Sequence, residues 1–201
     1  MTTAYQEVFD RATSLSINKR RKVSQTQSRS GVIKTTSVGG QVWEFEVRLP
    51  DGPSFTEYRS IIQDMETLDR VSTGQISIPQ SYIAGLRGDV GQTGTVNVAA
   101  TQGSTSLTVN SNTNATNFRL KKGDYIQLGS AGKVYSVTND QTSATSVIGV
   151  HRPVLDATAN YNLVIGTNAT WDVICVQWPN YKIFGYDQVS WSGPFIFVEP
   201  I

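Results

Sequence analysis

The feature that most constrains the fold is a strict two-residue alternation between positions 43 and 49. Large apolar side chains occupy the odd positions and charged side chains the even ones: Trp43, Phe45, Val47 and Leu49 against Glu44, Glu46 and Arg48. Successive side chains of a strand point to opposite faces, so the pattern predicts a strand with one buried face. We expect Trp43 and Phe45 to belong to the core. The preceding Gly39-Gly40 predicts a turn between two strands.

Two further strands are predicted upstream, a long solvated one over residues 12–24 and a second one over residues 31–37. Basic residues cluster here: Lys19, Arg20, Arg21, Lys22, Arg29 and Lys34. We interpret the pair as a projecting hairpin, and two strands alone are marginal in water. We therefore assign these residues, together with Glu44 and Glu46, to a contact between identical subunits.

The segment after Pro53 predicts one helix, over about residues 54–70. Ser54 followed by Glu57 three residues later is typical of a capping box. Apolar residues at helical spacing are predicted to form structural core against the Trp43 face: Tyr58, Ile61, Ile62 and Met65. The carboxylates of the helix are interpreted as a solvated face that could receive the basic hairpin rather than as paired catalytic acids: Asp64, Glu66 and Asp69.

The pattern of apolar and turn residues changes along the sequence and divides the chain into regions. Between the Gly-rich segment near residue 85 and Gly166, short strands alternate with turn residues, which is typical of a small barrel or sandwich. These strands are predicted over 95–99, 106–109, 124–128, 133–138 and 144–150. Strong alternation returns at Trp171 and continues to the aromatic-apolar C-terminus. The prediction is a mostly β fold. Residues 1–84 and 166–201 form a discontinuous β-barrel or sandwich domain with one α-helix, and residues 85–165 form an inserted small β-barrel domain.

The composition excludes several kinds of site. With Cys175 as its one cysteine, the chain cannot form an intrachain disulfide or a multi-cysteine zinc site. With His151 as its one histidine, it cannot build a histidine metal cluster. Neither residue accompanies a nucleophile motif, so we predict no catalytic residue, cofactor or metal. The glycine-rich stretch 85–94 lacks the Gly-Lys-Ser/Thr ending that a phosphate-binding loop requires.

The charge balance and hydropathy also limit the partners. A net charge of +1 produces no global field, and the basic cluster has no interleaved aromatics to stack bases, which argues against nucleic acid. No apolar run approaches the ~20 residues that span a bilayer, and the N-terminus lacks the apolar core of a secretory signal. We expect synthesis in a cytoplasm and no membrane partner.

Several stretches in their order resemble a family of tailed-bacteriophage structural proteins, the distal tail or baseplate-hub class. They are Gly39-Gly40-Gln41 with Trp43 and Phe45, the capped helix from Ser54, residues 120–129, residues 133–140, the HRPVL stretch at 151–155 and the closing residues 194–201. The resemblance implies a non-enzymatic virion protein that forms a homo-oligomeric ring, with a hexamer favoured. Such a ring joins the end of the tail tube to hub proteins and to peripheral baseplate or fibre proteins. The inserted domain would face outward.

Two other functions compete with this reading. In the first, the inserted domain is a carbohydrate- or host-receptor-binding module of the tail, and Tyr125, Tyr135 and Tyr161 are predicted to be exposed and able to stack on sugars. A peptidoglycan hydrolase would require a carboxylate or cysteine–histidine constellation, which the sequence does not assemble.

Overall fold

A computed structural model describes residues 4–19, 21–68, 71–79, 95–112, 119–142 and 147–200. The chain is mostly β and includes a curled half-barrel sheet, which confirms the predicted fold class. It divides into two compact units, Met1–Ile76 with Asp172–Ile201, and Ser77–Trp171. The predicted boundary at 84/85 lies outside the described residues. That each unit folds by itself stays a prediction.

The elements follow one another in this order. From residue 4 to residue 79 they are α1 (Ala4–Asp10), β1 (Ser14–Asn18), β2 (Arg21–Gln27), β3 (Ile33–Gln41), β4 (Glu44–Arg48), α2 (Phe55–Leu68) and β5 (Gly74–Ser77). From residue 95 to residue 142 they are β6 (Val96–Ala100), β7 (Ser106–Asn112), β8 (Arg119–Leu120), β9 (Tyr125–Leu128), β10 (Val134–Ser136) and β11 (Gln141–Thr142). From residue 147 to residue 200 they are β12 (Val147–Gly149), β13 (Ala159–Ile165), a 3-10 turn (Gly166–Asn168), β14 (Thr170–Gln177), β15 (Tyr181–Phe184), β16 (Gln188–Trp191) and β17 (Phe195–Val198).

The main sheet of the first unit has the strand order β1-β4-β17-β14-β5. Strand β4 lies between β1 and β17 and is antiparallel to both, with Phe45 opposite Phe197. Strands from the two ends of the chain therefore complete one sheet, which is the discontinuous arrangement that the alternation predicts. On β4 and just before it, Trp43, Phe45 and Val47 are fully buried, and Glu44 and Arg48 are exposed.

The prediction of a single helix is wrong, because a short helix, α1, precedes the first strand. Its Phe9 ring lies 5.8 Å from the ring of Phe45 and 5.2 Å from that of Phe197, and Tyr5 also contacts Phe197. The apolar side chains of α1 are thus part of the aromatic core on this face. The predicted core residues of α2 are buried as well: Tyr58, Ile61, Ile62 and Met65. The Tyr58 ring lies 6.0 Å from that of Trp191 in β16.

The capping of α2 differs from the predicted box. The Ser54 hydroxyl oxygen accepts a hydrogen bond from the Thr56 amide and donates one to the Asp187 carboxylate. In the predicted box, by contrast, Ser54 accepts from the Glu57 amide and the Glu57 carboxylate reaches back to the Ser54 amide. The Thr56 hydroxyl also donates to Asp187, at 3.0 Å. Asp187 lies in the turn between β15 and β16 with a φ of 72°, a conformation that Asp tolerates better than most side chains. A distant turn therefore supplies the second half of the cap.

Two details of the first strands also differ from the sequence prediction. Gly39 and Gly40 do not form a turn, because they lie within β3, and the chain leaves the strand only after Gln41. The predicted strand over 12–24 is interrupted before β2, so that β1 joins the main sheet and β2 pairs with β3 in a separate sheet. The weak alternation upstream carried no signal for that break.

The second unit is built on a six-stranded sheet with the order β10-β9-β13-β6-β7-β12 and a two-stranded sheet of β8 and β11. Its core cluster is mainly aliphatic and includes Val98, Leu107, Leu120, Ile126, Leu128, Tyr135, Val137 and Ile148. The sequence did not predict β13, which pairs with both β6 and β9 in the middle of the sheet. Its polar face, with Asn160 and Asn162, made this stretch resemble a loop.

Candidate functional site

The most unusual surface of the first unit is the hairpin of β2 and β3, residues 21–41, which we name the arm. The two strands pair only with each other, from Gln27 opposite Ile33 towards Arg21 opposite Gln41. The tip is closed by backbone hydrogen bonds between Ser28 and Val32 and between Gly31 and Ser28, both 2.9 Å. Gly31 has a φ of 80°, a backbone conformation that would be strained in a residue with a side chain. The arm is therefore a well-formed hairpin to which no other strand of the described residues is added.

Every side chain from residue 23 to residue 36 is exposed. These include three large apolar side chains, Val23, Val32 and Ile33, which are 48%, 54% and 63% exposed. The arm sequence contains basic residues but no acidic one. A two-stranded sheet with apolar side chains in water is marginal by itself, and the unpaired edges of its strands are open to another chain. The arm thus has the properties of a surface that is completed by a partner.

The predicted interface residues occupy several different environments. Lys19 is half-buried and places its ammonium 5.2 Å from the centre of the Trp43 ring, and burial lowers the pKa of that ammonium. Lys19 therefore packs on the core residue Trp43, whether or not it also contributes to a subunit interface. Arg20 lies outside the described residues, and Arg21 and Lys22 lie on β2.

The remaining predicted interface residues form two groups. Arg29, at the tip, and Lys34, on β3, are exposed on the arm. Glu44 is exposed on β4, and Glu46 lies 3.2 Å from the Arg48 guanidinium in an exposed ion pair. Within the described residues no ion pair joins the arm to these carboxylates. Among the described side chains, the predicted contact between the two groups is therefore not made inside one chain.

A second feature, which the sequence reasoning missed, is a cleft of about 410 Å³ in the first unit, which we name the aromatic cleft. It is lined by Glu66 from α2 and by the segment before β15: Trp178, Pro179, Asn180 and Tyr181. The Tyr181 ring stacks on Phe55 at 6.2 Å and meets Trp191 at 5.9 Å, which holds it in place. Two aromatic rings and one carboxylate meet here. The WPNY stretch was the available signal, since aromatics flank a Pro-Asn pair.

The two residues considered for catalysis lie in structural positions. The His151 Nδ1 accepts a hydrogen bond from the Ser136 amide at 2.9 Å, and the Tyr135 ring lies beside the imidazole. Cys175 is buried, and its thiol donates to the Gln177 carbonyl oxygen at 3.3 Å. Cys175 belongs to the first unit and His151 to the second. The role of both residues in these contacts is to pack and to hold backbone.

The HRPVL stretch has a structural role in the second unit. Arg152 is buried; its guanidinium donates to the Val134 carbonyl oxygen at 3.1 Å and lies over the Tyr135 ring. The Tyr135 hydroxyl donates to the Asp156 carboxylate at 2.6 Å and accepts from the Leu155 amide. Burial, and then the bond to Asp156, raises the pKa of Tyr135. The stretch is thereby tied to β10.

The tyrosines proposed to stack on sugars are not available for that role. Tyr125 and Tyr135 are buried, so the prediction of their exposure is wrong. Tyr161 is half-buried against the aliphatic core, and its hydroxyl donates to the Ala157 carbonyl oxygen at 2.8 Å.

The polar residues on the other face of the sheet form an amide network that the sequence reasoning missed. It links Asn110 to Asn97 and Asn160, and Asn97 to Asn162.

The described part of the chain contains no cluster of His, Cys, Asp or Glu residues that could hold a metal ion. Neither of its helices is both long and apolar enough to cross a membrane.

The chain has no match among protein-family models, and a comparison with curated proteins also finds none. The arm, the aromatic cleft and the resemblance noted in the sequence are therefore the features that bear on function.

Proposed function

We propose that this chain is a virion structural protein of a bacteriophage tail or baseplate. It forms a ring that connects the end of the tail tube to hub proteins and to peripheral baseplate or fibre proteins. The proposal assigns no catalytic step to the chain. Its single strongest support is the arm, in which fourteen consecutive residues, 23–36, are exposed on a hairpin that pairs with no third described strand.

The physical reason is the instability of such a surface in isolation. Burying apolar side chains contributes roughly 25 cal/mol per Å² of area removed from water. In the free chain, Val23, Val32 and Ile33 obtain little of this stabilisation. A neighbouring copy that covers the arm supplies it. The arm then contacts a different patch on an identical subunit, and such heterologous contacts form a ring when the rotation between subunits closes.

The strength of the contact follows from its composition. Exposed ion pairs contribute about 0–1 kcal/mol each, so the charges of the arm set orientation more than affinity. We therefore expect an isolated chain that is monomeric when dilute and associates when concentrated or when the tail provides a template. A weak pairwise contact is sufficient in a closed ring, since each subunit is held on two sides.

The competing role as a carbohydrate- or receptor-binding module depended on exposed tyrosines, and Tyr125 and Tyr135 are buried. Location in a particle separates the two roles, because a ring subunit lies on the tail axis in several copies. We would purify particles that carry this chain and locate it by electron cryomicroscopy. A ring at the end of the tube, with six copies favoured, is the expected result. A single copy per tail, or a position only at fibre tips, would sink the proposal.

A further inference from the structure

We infer that the aromatic cleft receives Arg29 from the arm of the next copy of the chain. This inference rests on the proposed function, because it names the receiving surface for the arm in the ring. Among the described residues that line the cleft, Glu66 is the one carboxylate and none is cationic. The arm contains cationic residues and no acidic one. The two surfaces are therefore complementary in charge.

The chemistry of the cleft suits a guanidinium more closely than an ammonium. Arginine stacks on aromatic faces and binds carboxylates through a planar fork of donors, whereas a lysine ammonium is a compact, strongly hydrated charge. Trp178 and Tyr181 provide two aromatic rings, and Glu66 provides the carboxylate. A cation over an aromatic ring contributes most when it is removed from water. The Asn180 side chain adds an amide at the rim of the cleft.

Arg29 is the arm residue best placed to enter it. It lies in the turn between the two strands, at the tip of the arm, and is exposed. Strand β3 has nine residues, and at about 3.3 Å per residue it is about 30 Å long. Such a hairpin can carry its tip to an adjacent subunit. The Ser28–Gly31 hydrogen bond and the positive φ of Gly31 preorganise the turn that presents Arg29.

Among the described carboxylates that the sequence offered as receivers, the structure favours Glu66; Asp69 lies outside the described residues. Glu46 is already paired with Arg48. Glu44 is exposed on a strand, where it lines none of the described cavities. Asp64 lines a smaller cavity of about 290 Å³ whose other described residues include no aromatic side chain. Of these cavities, as the described residues line them, the aromatic cleft is the one that combines a carboxylate with two rings.

Disulfide trapping tests the contact directly, because the native Cys175 is buried and will not interfere. We would prepare Arg29→Cys and Glu66→Cys as separate full-length proteins, concentrate them and oxidise each alone and as a mixture. The mixture should yield a disulfide-linked dimer containing one chain of each kind, and the separate proteins should not. Arg59→Cys mixed with Arg29→Cys is the matched control. Arg59 is exposed on the same helix, seven residues and about 10 Å from Glu66, which is beyond the reach of a disulfide.

Charge exchange provides a second measurement. Sedimentation of concentrated Arg29→Glu or Glu66→Arg should show self-association weakened about tenfold, and the double exchange should recover most of it. Thermal melting of each variant should match the parent, since both positions are exposed.

The outcomes separate this inference from the proposed function. The arm–cleft contact is wrong if neither reversal weakens association and no mixed disulfide forms. It is also wrong if the chain stays monomeric at every concentration. A dimer formed by Arg29→Cys alone would overturn it too, since it would place two tips together. In each case imaging still decides whether the chain forms a tail ring. A ring whose arms bind elsewhere would support the proposed function and contradict the arm–cleft contact.

Discussion

Two hairpins of the first unit have the same local architecture and very different surroundings. The arm and the β15–β16 hairpin are both two-stranded antiparallel sheets without a third strand. The second hairpin is anchored: Asp187 in its turn caps α2, and Trp191 contacts Tyr58, Tyr181 and Phe195. The arm has no comparable anchor among residues 23–36. Pairing of two strands therefore does not decide whether a hairpin is stable; the surface that covers it does.

The largest effect should follow from removing the aromatic anchor of the stable hairpin. Trp191→Ala should lower the free energy of unfolding by about 3 kcal/mol, the lower end of the range for large aromatic truncations. The reason is that the ring contacts three other aromatic rings but remains partly exposed. Urea denaturation measures the change. Trp191→Phe, which keeps an aromatic ring, should lose clearly less, and equal losses would show that packing is not the cause.

A smaller effect should follow from removing the cap that joins the β15–β16 hairpin to α2. Ser54→Ala should cost about 1 kcal/mol, which is typical of an N-cap serine, because it removes the bonds to the Thr56 amide and to Asp187. The matched control is Ser28→Ala in the arm, whose hydroxyl oxygen accepts from the Val32 amide. That change should hardly affect global unfolding. A cost for Ser28→Ala as large as that for Ser54→Ala would contradict the contrast between the hairpins.

The same cap should be sensitive to pH. Hydrogen bonds from Ser54 and then from Thr56 hold the pKa of the Asp187 carboxyl below its ordinary value of 3.8. A depressed folded-state pKa stabilises the fold fully above the ordinary value, and the contribution disappears as the pH falls through the folded-state value. The stability difference between the parent and Asp187→Asn should therefore shrink in acid. Paired urea titrations from about pH 6 to about pH 2 would show it, and a difference that grows in acid would reverse the assignment.

The smallest effect on stability should come from the arm itself. Ile33→Ser should change the unfolding free energy of the dilute monomer by no more than about 0.5 kcal/mol, as for most surface positions, since Ile33 is 63% exposed. It should nevertheless weaken self-association at high concentration. Val147→Ser, at an exposed valine of β12 in the second unit, is the control and should leave association unchanged. If Ile33→Ser unfolds the monomer, the arm is already anchored within its own chain.

The position of Lys19 changes the design of any charge-reversal test of the arm. The sequence placed Lys19 with the basic residues that follow it, but its ammonium lies over the ring of Trp43. Reversing its charge would disturb the core as well as the interface. A clean test reverses Arg29 and Lys34 and leaves Lys19 unchanged.

The sequence pattern predicted those elements whose stability depends on nearby residues or on a periodic apolar face. The alternation at 43–49 identified the buried face of β4, and the apolar stripe identified the buried residues of α2. Helix α1 was missed because seven residues are too few to show periodicity, and its stability comes from packing Phe9 and Tyr5 on aromatic rings of β4 and β17. Strand β13 was missed because its asparagines are stabilised by side-chain amides of β6 and β7, which the local sequence does not show.

By itself, the sequence determined a mostly β chain whose two ends share one sheet, because a period of two with large apolar residues is stable only as a half-buried strand. It also determined that the arm is basic. Tertiary structure alone decided that Gly39 and Gly40 continue a strand, that Asp187 rather than Glu57 completes the cap of α2, and that Glu66 meets Trp178 and Tyr181 in a cleft. Each of these depends on residues far apart in sequence, and the free energy of such contacts exists only once the chain has brought the partners together.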